Sequence, residues 1–288
     1  MYAFLRTLAP LAVALSACGT PDAPPAARPA AESQAPPDTL GYPIPYTLAE
    51  PDARLRLDRR LREISGLTWL SNGHLGAVQD EDGDFFELDP ETGRILSVRR
   101  FYNNGDYEGV EQVGATVWIV ESDGDLYRYS GSGEAEKLET GLERANDVEG
   151  LGYDASRNRL LLACKESPGA GLAGVRAVYA YDLDAGRLTR QPVYTLDREA
   201  LDVGGATFKP SGLAVHPETH EVYILSGVLK AVVVLTPEGE RRAAISLPSH
   251  LYPQPEGIAF APDGTLYISN EGAGGSATLL RFSPQPLP

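Results

Sequence analysis

The chain has 288 residues, 42% hydrophobic and 23% charged, which supports a buried core and excludes global disorder. Its formal net charge of −15 repels phosphate backbones, which argues against nucleic acid as a partner and suits cation binding. Two cysteines exclude a disulfide framework and any multi-cysteine zinc or iron–sulfur site, and after the first 17 residues no apolar run of transmembrane length occurs.

Residues 1–17 read as a lipoprotein signal peptide, with Arg6 as a thin positive region and Leu8 to Ala17 as the apolar core. The segment ends Leu15-Ser16-Ala17-Cys18-Gly19, which resembles a lipobox, a motif whose small residues admit the peptidase and whose cysteine, here Cys18, is expected to receive the lipid. Of the 22 residues from Gly19 to Leu40, twelve are Pro or Ala, with no hydrophobic period. Such a stretch cannot offset its ordering entropy, so residues 18–45 are expected to be a lipidated tether. Gly19 replaces the aspartate that retains enteric lipoproteins at the inner membrane. The expected location is the cell envelope outside the cytoplasm, at the outer membrane in a Gram-negative cell.

From about residue 46 onward a self-similar element recurs. It reads Glu63-Ile64-Ser65-Gly66-Leu67, Glu108-Gly109-Val110, Glu149-Gly150-Leu151, Ser211-Gly212-Leu213 and Glu256-Gly257-Ile258, with two residues inserted in the first copy. Successive spacings from Glu63 are 45, 41, 62 and 45 residues. Three of these suit a four-stranded propeller blade, and the 62 reads as a blade with long loops.

Each unit repeats one grammar. A short apolar strand follows the motif, then a tight turn such as Ser71-Asn72-Gly73 or Pro262-Asp263-Gly264. More apolar second strands come next: Leu75 to Val78, Val117 to Val120, Leu160 to Cys164, Val222 to Leu225 and Leu266 to Ser269. Third strands such as Phe85 to Asp89 and Val178 to Tyr181 carry aromatic or branched residues, and a polar fourth strand such as Arg94 to Phe101 closes the unit. From Glu256 only 33 residues remain, enough for three strands, while Arg54 to Leu61 precedes the first motif where other units have their fourth. The predicted fold is therefore an all-β, five-bladed β-propeller over residues 46–288, closed by an N-terminal strand. Six blades is the alternative, if the long third unit or residues 41–53 hold another.

In a propeller, the innermost strand starts at the face where the second strand ends. The strand-one starts Glu63, Glu108, Glu149, Ser211 and Glu256 should thus share a channel mouth with Asp80-Glu81, Glu121, Lys165-Glu166, Ser226 and Asn270-Glu271. Asp106 and Asp147 stand two residues before Glu108 and Glu149. Like charges at about 4 Å repel by roughly 4 kcal/mol at an effective dielectric constant near 20. The acids must bind a cation, share protons, or be neutralised by Lys165 and Lys209. Oxygen donors without His or Cys point to a hard ion, and Ca²⁺ suits a flexible ring better than Mg²⁺. The expected metal ligands are Glu63, Glu108, Glu149 and Glu256; Asp80, Glu121, Lys165, Glu166, Ser211 and Glu271 are expected around a ligand. The opposing reading makes the glutamates blade-to-blade linkers that accept backbone N–H bonds.

Other motifs carry less. Asp80-Glu81-Asp82-Gly83-Asp84 and Ser122-Asp123-Gly124-Asp125 read as hairpin turns, His216 and His220 as turn histidines, and Cys164 as a core residue. No Ser–His–Asp or Cys–His constellation stands out, so no catalytic residue is assigned.

With these motifs in order, the chain resembles the SdiA-regulated family of bacterial β-propeller proteins over roughly residues 55–284. The likeness rests on Glu63-Ile64-Ser65-Gly66-Leu67, Asp106-Tyr107-Glu108-Gly109, Asp147-Val148-Glu149-Gly150 and Ala163-Cys164-Lys165-Glu166. Pro210-Ser211-Gly212-Leu213, Gln254-Pro255-Glu256-Gly257-Ile258 and Leu266-Tyr267-Ile268-Ser269 complete it. The resemblance implies a binding or signalling propeller, with calcium-regulated and phytase-like members.

Two functions follow as expectations. The first is an envelope lipoprotein whose acidic mouth holds Ca²⁺ and a small ligand or protein partner without turnover. The second is a calcium-dependent hydrolase of phosphoesters or lactones. A phosphoester hydrolase should gather cations, whereas only Lys165, Lys209 and Lys230 fall near this mouth, so binding is favoured.

Overall fold

Middle strands whose two faces are both apolar, such as Val222–Ser226 and Ala231–Leu235, must be covered on both sides. Stacking blades radially achieves this. The computed structural model describes residues 42–202 and 205–287. The expected signal peptide, Cys18 and residues 19–41 of the expected tether lie outside the described residues.

The first strand, β1 (Ala53–Arg56), leaves its sequence neighbours and pairs with the last strand of the chain. Blade 1 is β2 (Ile64–Trp69), β3 (Leu75–Gln79), β4 (Asp84–Leu88) and β5 (Ile95–Arg100). Blade 2 is β6 (Tyr107–Val113), β7 (Thr116–Glu121), β8 (Leu126–Tyr129) and β9 (Glu136–Leu138). Blade 3 holds β10 (Val148–Asp154), β11 (Arg159–Cys164), β12 (Val175–Asp182), β13 (Arg187–Leu188) and β14 (Tyr194–Asp197). Blade 4 is β15 (Gly212–Val215), β16 (Val222–Ser226), β17 (Ala231–Leu235) and β18 (Arg241–Ser246). Blade 5 is β19 (Pro255–Phe260), β20 (Leu266–Asn270) and β21 (Thr278–Phe282), completed by β1.

The five-bladed count stands. The long third unit is one blade whose fourth strand is split, since β13 and β14 both pair with β12. Ring closure also stands, with Ala53 opposite Arg281 and Arg56 opposite Thr278. The closing strand is shorter than the expected Arg54 to Leu61. Asp58 accepts a hydrogen bond from the Arg60 N–H at 3.0 Å and turns Arg59–Leu61 into a 3₁₀ turn that buries Leu61. Residues from Tyr42 on, the first described, already make contacts with the propeller. Tyr42 donates to Glu221, Tyr46 to the Gly264 carbonyl, and Leu48 accepts from Tyr252.

No blade has a core of its own. Five apolar clusters each lie between two neighbouring blades, because alternate residues of a strand face opposite neighbours. On β16, Val222 and Ile224 face blade 3 while Tyr223 and Leu225 face blade 5. The innermost strands pack in a closed circle, β2 on β6, β10, β15, β19 and back to β2. Glycine permits that approach. A Cβ on Gly66 would press on Val110, on Gly109 on Leu151, on Gly150 on Leu213, on Gly212 on the Glu256 carbonyl, and on Gly257 on Leu67.

The Gly212 contact is with rigid backbone, so Gly212→Ala must push two blades apart. It is expected to cost about 1–3 kcal/mol in urea unfolding. An unchanged midpoint would mean that the axis is loosely packed.

Candidate functional site at the acidic mouth

Four of the five innermost strands begin with a slip in their ladder, and β15 is the exception. The register shifts between Ile64 and Gly66, Tyr107 and Gly109, Val148 and Gly150, and Pro255 and Ile258. A bulge re-aims its extra side chain. The bulged residues Ser65, Glu108, Glu149 and Glu256 line the axial cavity, and Ser211 holds the matching place just before β15. That cavity measures about 10 Å³, on the order of one water molecule.

This geometry corrects the alignment of the first repeat. The residue before the glycine is the equivalent one, so Ser65, not Glu63, matches Glu108, Glu149, Ser211 and Glu256. No insertion is needed. The two serines act as the blade-to-blade linkers: Ser65 Oγ donates to the Tyr107 carbonyl at 2.6 Å and Ser211 Oγ to the Pro255 carbonyl at 2.8 Å. The pair Ser65-Gly66-Leu67 and Ser211-Gly212-Leu213 was the sequence signal for this register.

Glu63 belongs to an outer ring, two residues before the bulge, with Asp106, Asp147, Lys209 and Gln254. The carbonyls of Glu63, Asp106, Asp147 and Gln254 accept the N–H groups of Asp80, Ser122, Lys165 and Glu271 just past each second strand. Gly227 holds the matching position after β16, but its N–H donates to Ser211 Oγ at 2.9 Å. Going round the mouth, the seam between blades 5 and 1 therefore brings together Glu271, Glu63 and Asp80. The seam between blades 3 and 4 brings together Lys165, Lys209 and Gly227. The two lysines of the mouth pair with acids there, Lys165 with Glu149 and Lys209 with Glu166.

Lysine and protons settle the axis. Lys165 Nζ is hydrogen-bonded to Glu149 Oε1 and lies 3.8 Å from Asp147 Oδ2. Burial works against the lysine's charge, but Glu149, Asp147 and Glu108 outweigh it and raise its pKa. Burial raises Glu149, and Lys165 offsets part of that. Glu108 has no such partner: burial, then the charges of Glu149 and Asp106, push it far above the ordinary glutamate range. Burial followed by Glu149 and Glu271 does the same to Glu256. Burial and neighbouring like charge thus favour the protonated form of both.

The seam between blades 5 and 1 is different. One carboxylate oxygen each from Glu63, Asp80 and Glu271 lie within 4.8 Å of one another. All three residues are half-buried. Asp80 Oδ1 is buried with no hydrogen-bond partner among the described residues. Burial, then Glu63 and Glu81, raise Asp80 to about 6, and burial, then Asp80 and Glu63, raise Glu271 to about 7. Gln254 donates to Glu271, and Arg62 reaches Glu63 at 3.4 Å from an exposed position. Two oxygens on one Ca²⁺ can be at most about 5 Å apart, so the trio fits that ion with waters completing the shell.

The remaining expected residues separate. Glu121 turns away from the axis, accepting from Tyr127 at 2.5 Å and from Lys137 at 3.3 Å. Glu166 pairs with Lys209, which holds its pKa below the usual range. Open space on this face lies outward, in a cavity of about 480 Å³ lined by Asn146, Ser167, Tyr179 and Arg190.

Glu108 binds its proton more tightly folded than unfolded, where the ordinary value of 4.5 applies. Its contribution to stability is complete below that value and is lost as pH rises toward the folded one. Glu108→Gln should therefore raise the melting temperature at about pH 8 and flatten its decline above about pH 5. Equal pH slopes in variant and wild type would show the axis already ionised.

The chain superimposes on solved propellers of low identity. Myxococcus xanthus glutaminyl cyclase matches with TM-score 0.58 and 14% identity, covering 83% of this chain and 97% of that one. The PQQ-bound aldose sugar dehydrogenase of Streptomyces coelicolor matches with TM-score 0.52 and 14% identity, covering 84% and 99%. A luciferin-regenerating enzyme matches with TM-score 0.55 and 12% identity, covering 81% and 95%. At such identities the likeness shows the fold alone. No curated protein matches the sequence. The SdiA-regulated family model matches residues 48–273, from the strap before β1 to the loop after β20, and the chain belongs to the SdiA-regulated family.

Proposed function

We propose that this protein is an envelope-anchored binding propeller that takes Ca²⁺ at Glu63, Asp80 and Glu271. The ion would organise the acidic mouth for a small ligand or protein partner. The observation that carries the reading is the carboxylate trio itself, with Asp80 Oδ1 buried and unpartnered among the described residues and only the exposed Arg62 paired to the group, at Glu63. Elsewhere in the mouth, Lys165 and Lys209 already pair with Glu149 and Glu166. The cation proposal therefore passes from Glu108, Glu149 and Glu256 to the trio. Anchoring is proposed from the lipobox, with Cys18 carrying the lipid.

Binding stabilises the folded state by about 2.7 kcal/mol at one hundred times Kd. Chelator-stripped protein should melt higher with millimolar Ca²⁺ and little higher with Mg²⁺. Asp80→Asn and Glu271→Gln should remove most of that shift without lowering the metal-free melting temperature, whereas Glu149→Gln should keep it. A melting temperature indifferent to Ca²⁺ would remove the metal from the proposal. Metal-dependent turnover in a phosphatase and lactonase screen would replace the binding module with the hydrolase.

Anchoring has its own test. Cys18→Ala should release the protein from the membrane fraction. Retention equal to wild type would refute the lipid anchor.

A further inference from the structure

On the face opposite the acidic mouth, blades 5 and 1 enclose a second cavity of about 450 Å³, a volume suited to a small ligand. Its wall comes from Trp69 at the end of β2, Glu91 in the β4–β5 turn, Asp263 and Thr265 in the β19–β20 turn, Tyr267 on β20 and Arg281 on β21. Trp69 and Tyr267 stack with centroids 5.8 Å apart and planes at 27°. Tyr267 is buried and backs one face of the indole, while Trp69 stays partly exposed in the cavity. The chain has two tryptophans, and Trp118 is buried between blades 2 and 3.

The polar groups are unsaturated. Arg281 Nη1 is paired with Glu91, yet its Nε–H is buried without a partner among the described residues. Asp263 is exposed at the rim, where its Oδ1 accepts the Thr265 N–H at 2.9 Å. Carboxylates and a guanidinium present paired acceptors and donors in a plane, which matches adjacent hydroxyl groups. An aromatic platform meets an apolar C–H face. A purely aromatic ligand would leave the Arg281 and Asp263 groups unmet. An anionic one would face two carboxylates against one guanidinium on a chain of net charge −15.

We infer that this cavity is a binding site for a neutral pyranose sugar, laid on Trp69 with its hydroxyls on Arg281, Glu91 and Asp263. The site is separate from the acidic mouth and does not depend on the calcium proposal.

The test titrates the full-length protein with the methyl pyranosides of glucose, galactose and N-acetylglucosamine. Tryptophan emission and saturation-transfer NMR supply the readouts. At least one sugar should bind saturably in the millimolar range. Trp69→Leu should weaken it about tenfold or more, and Glu91→Gln, on an exposed side chain, should weaken it severalfold at an unchanged melting temperature. Asp80→Asn should leave it unchanged. Absence of saturable binding to all three sugars, equal binding by both cavity variants, or tighter binding of glucose 6-phosphate would overturn the assignment.

Discussion

Carboxylates on a closed axis with room for about one water molecule are poorly screened, and that constraint shapes the whole acidic face. The interblade approach that buries each strand also brings the first residues of five innermost strands together. At about 4 Å an uncompensated pair of like charges costs roughly 4 kcal/mol at an effective dielectric constant near 20. Three different chemical solutions appear around the ring. Serine replaces glutamate at Ser65 and Ser211 and serves as a hydroxyl linker. Lys165 supplies a charge for Glu149. Burial and like charge push Glu108 and Glu256 toward their neutral form.

The same arithmetic of charge leaves one seam open. Glu63 and Asp80 come from the first blade and Glu271 from the last, so the trio straddles the place where the ring is closed by β1. A cation there would join the two ends of the propeller sequence. It would add to the closure that β1 and the buried Leu57 and Leu61 already provide. Ligand binding at the mouth and stability of the closed ring would then be linked by mass action.

Much of this was legible in the sequence because a propeller repeats its grammar. Apolar second strands, hairpin turns and the motif glycines placed all five blades, and the unmatched Arg54 segment placed the closure. The misread points share one cause, local hydrogen bonding that overrides the apparent pattern. Asp58 ended the closing strand early by capping a turn. A bulge at Ser65 made Glu63 look like a shifted copy of Glu108. Glu121 looked axial by position, but Tyr127 and Lys137 draw it outward. The trio itself was divided between two expected groups, since its members meet only when blade 5 is set beside blade 1.

The most direct measurement is a crystal structure of chelator-stripped protein soaked in Ca²⁺, read by anomalous difference density. The account predicts one peak among Glu63, Asp80 and Glu271, and none on the axis beside Lys165. A peak among Glu108, Glu149 and Glu256 would contradict it, because the Lys165–Glu149 pair would then not be what balances the ring.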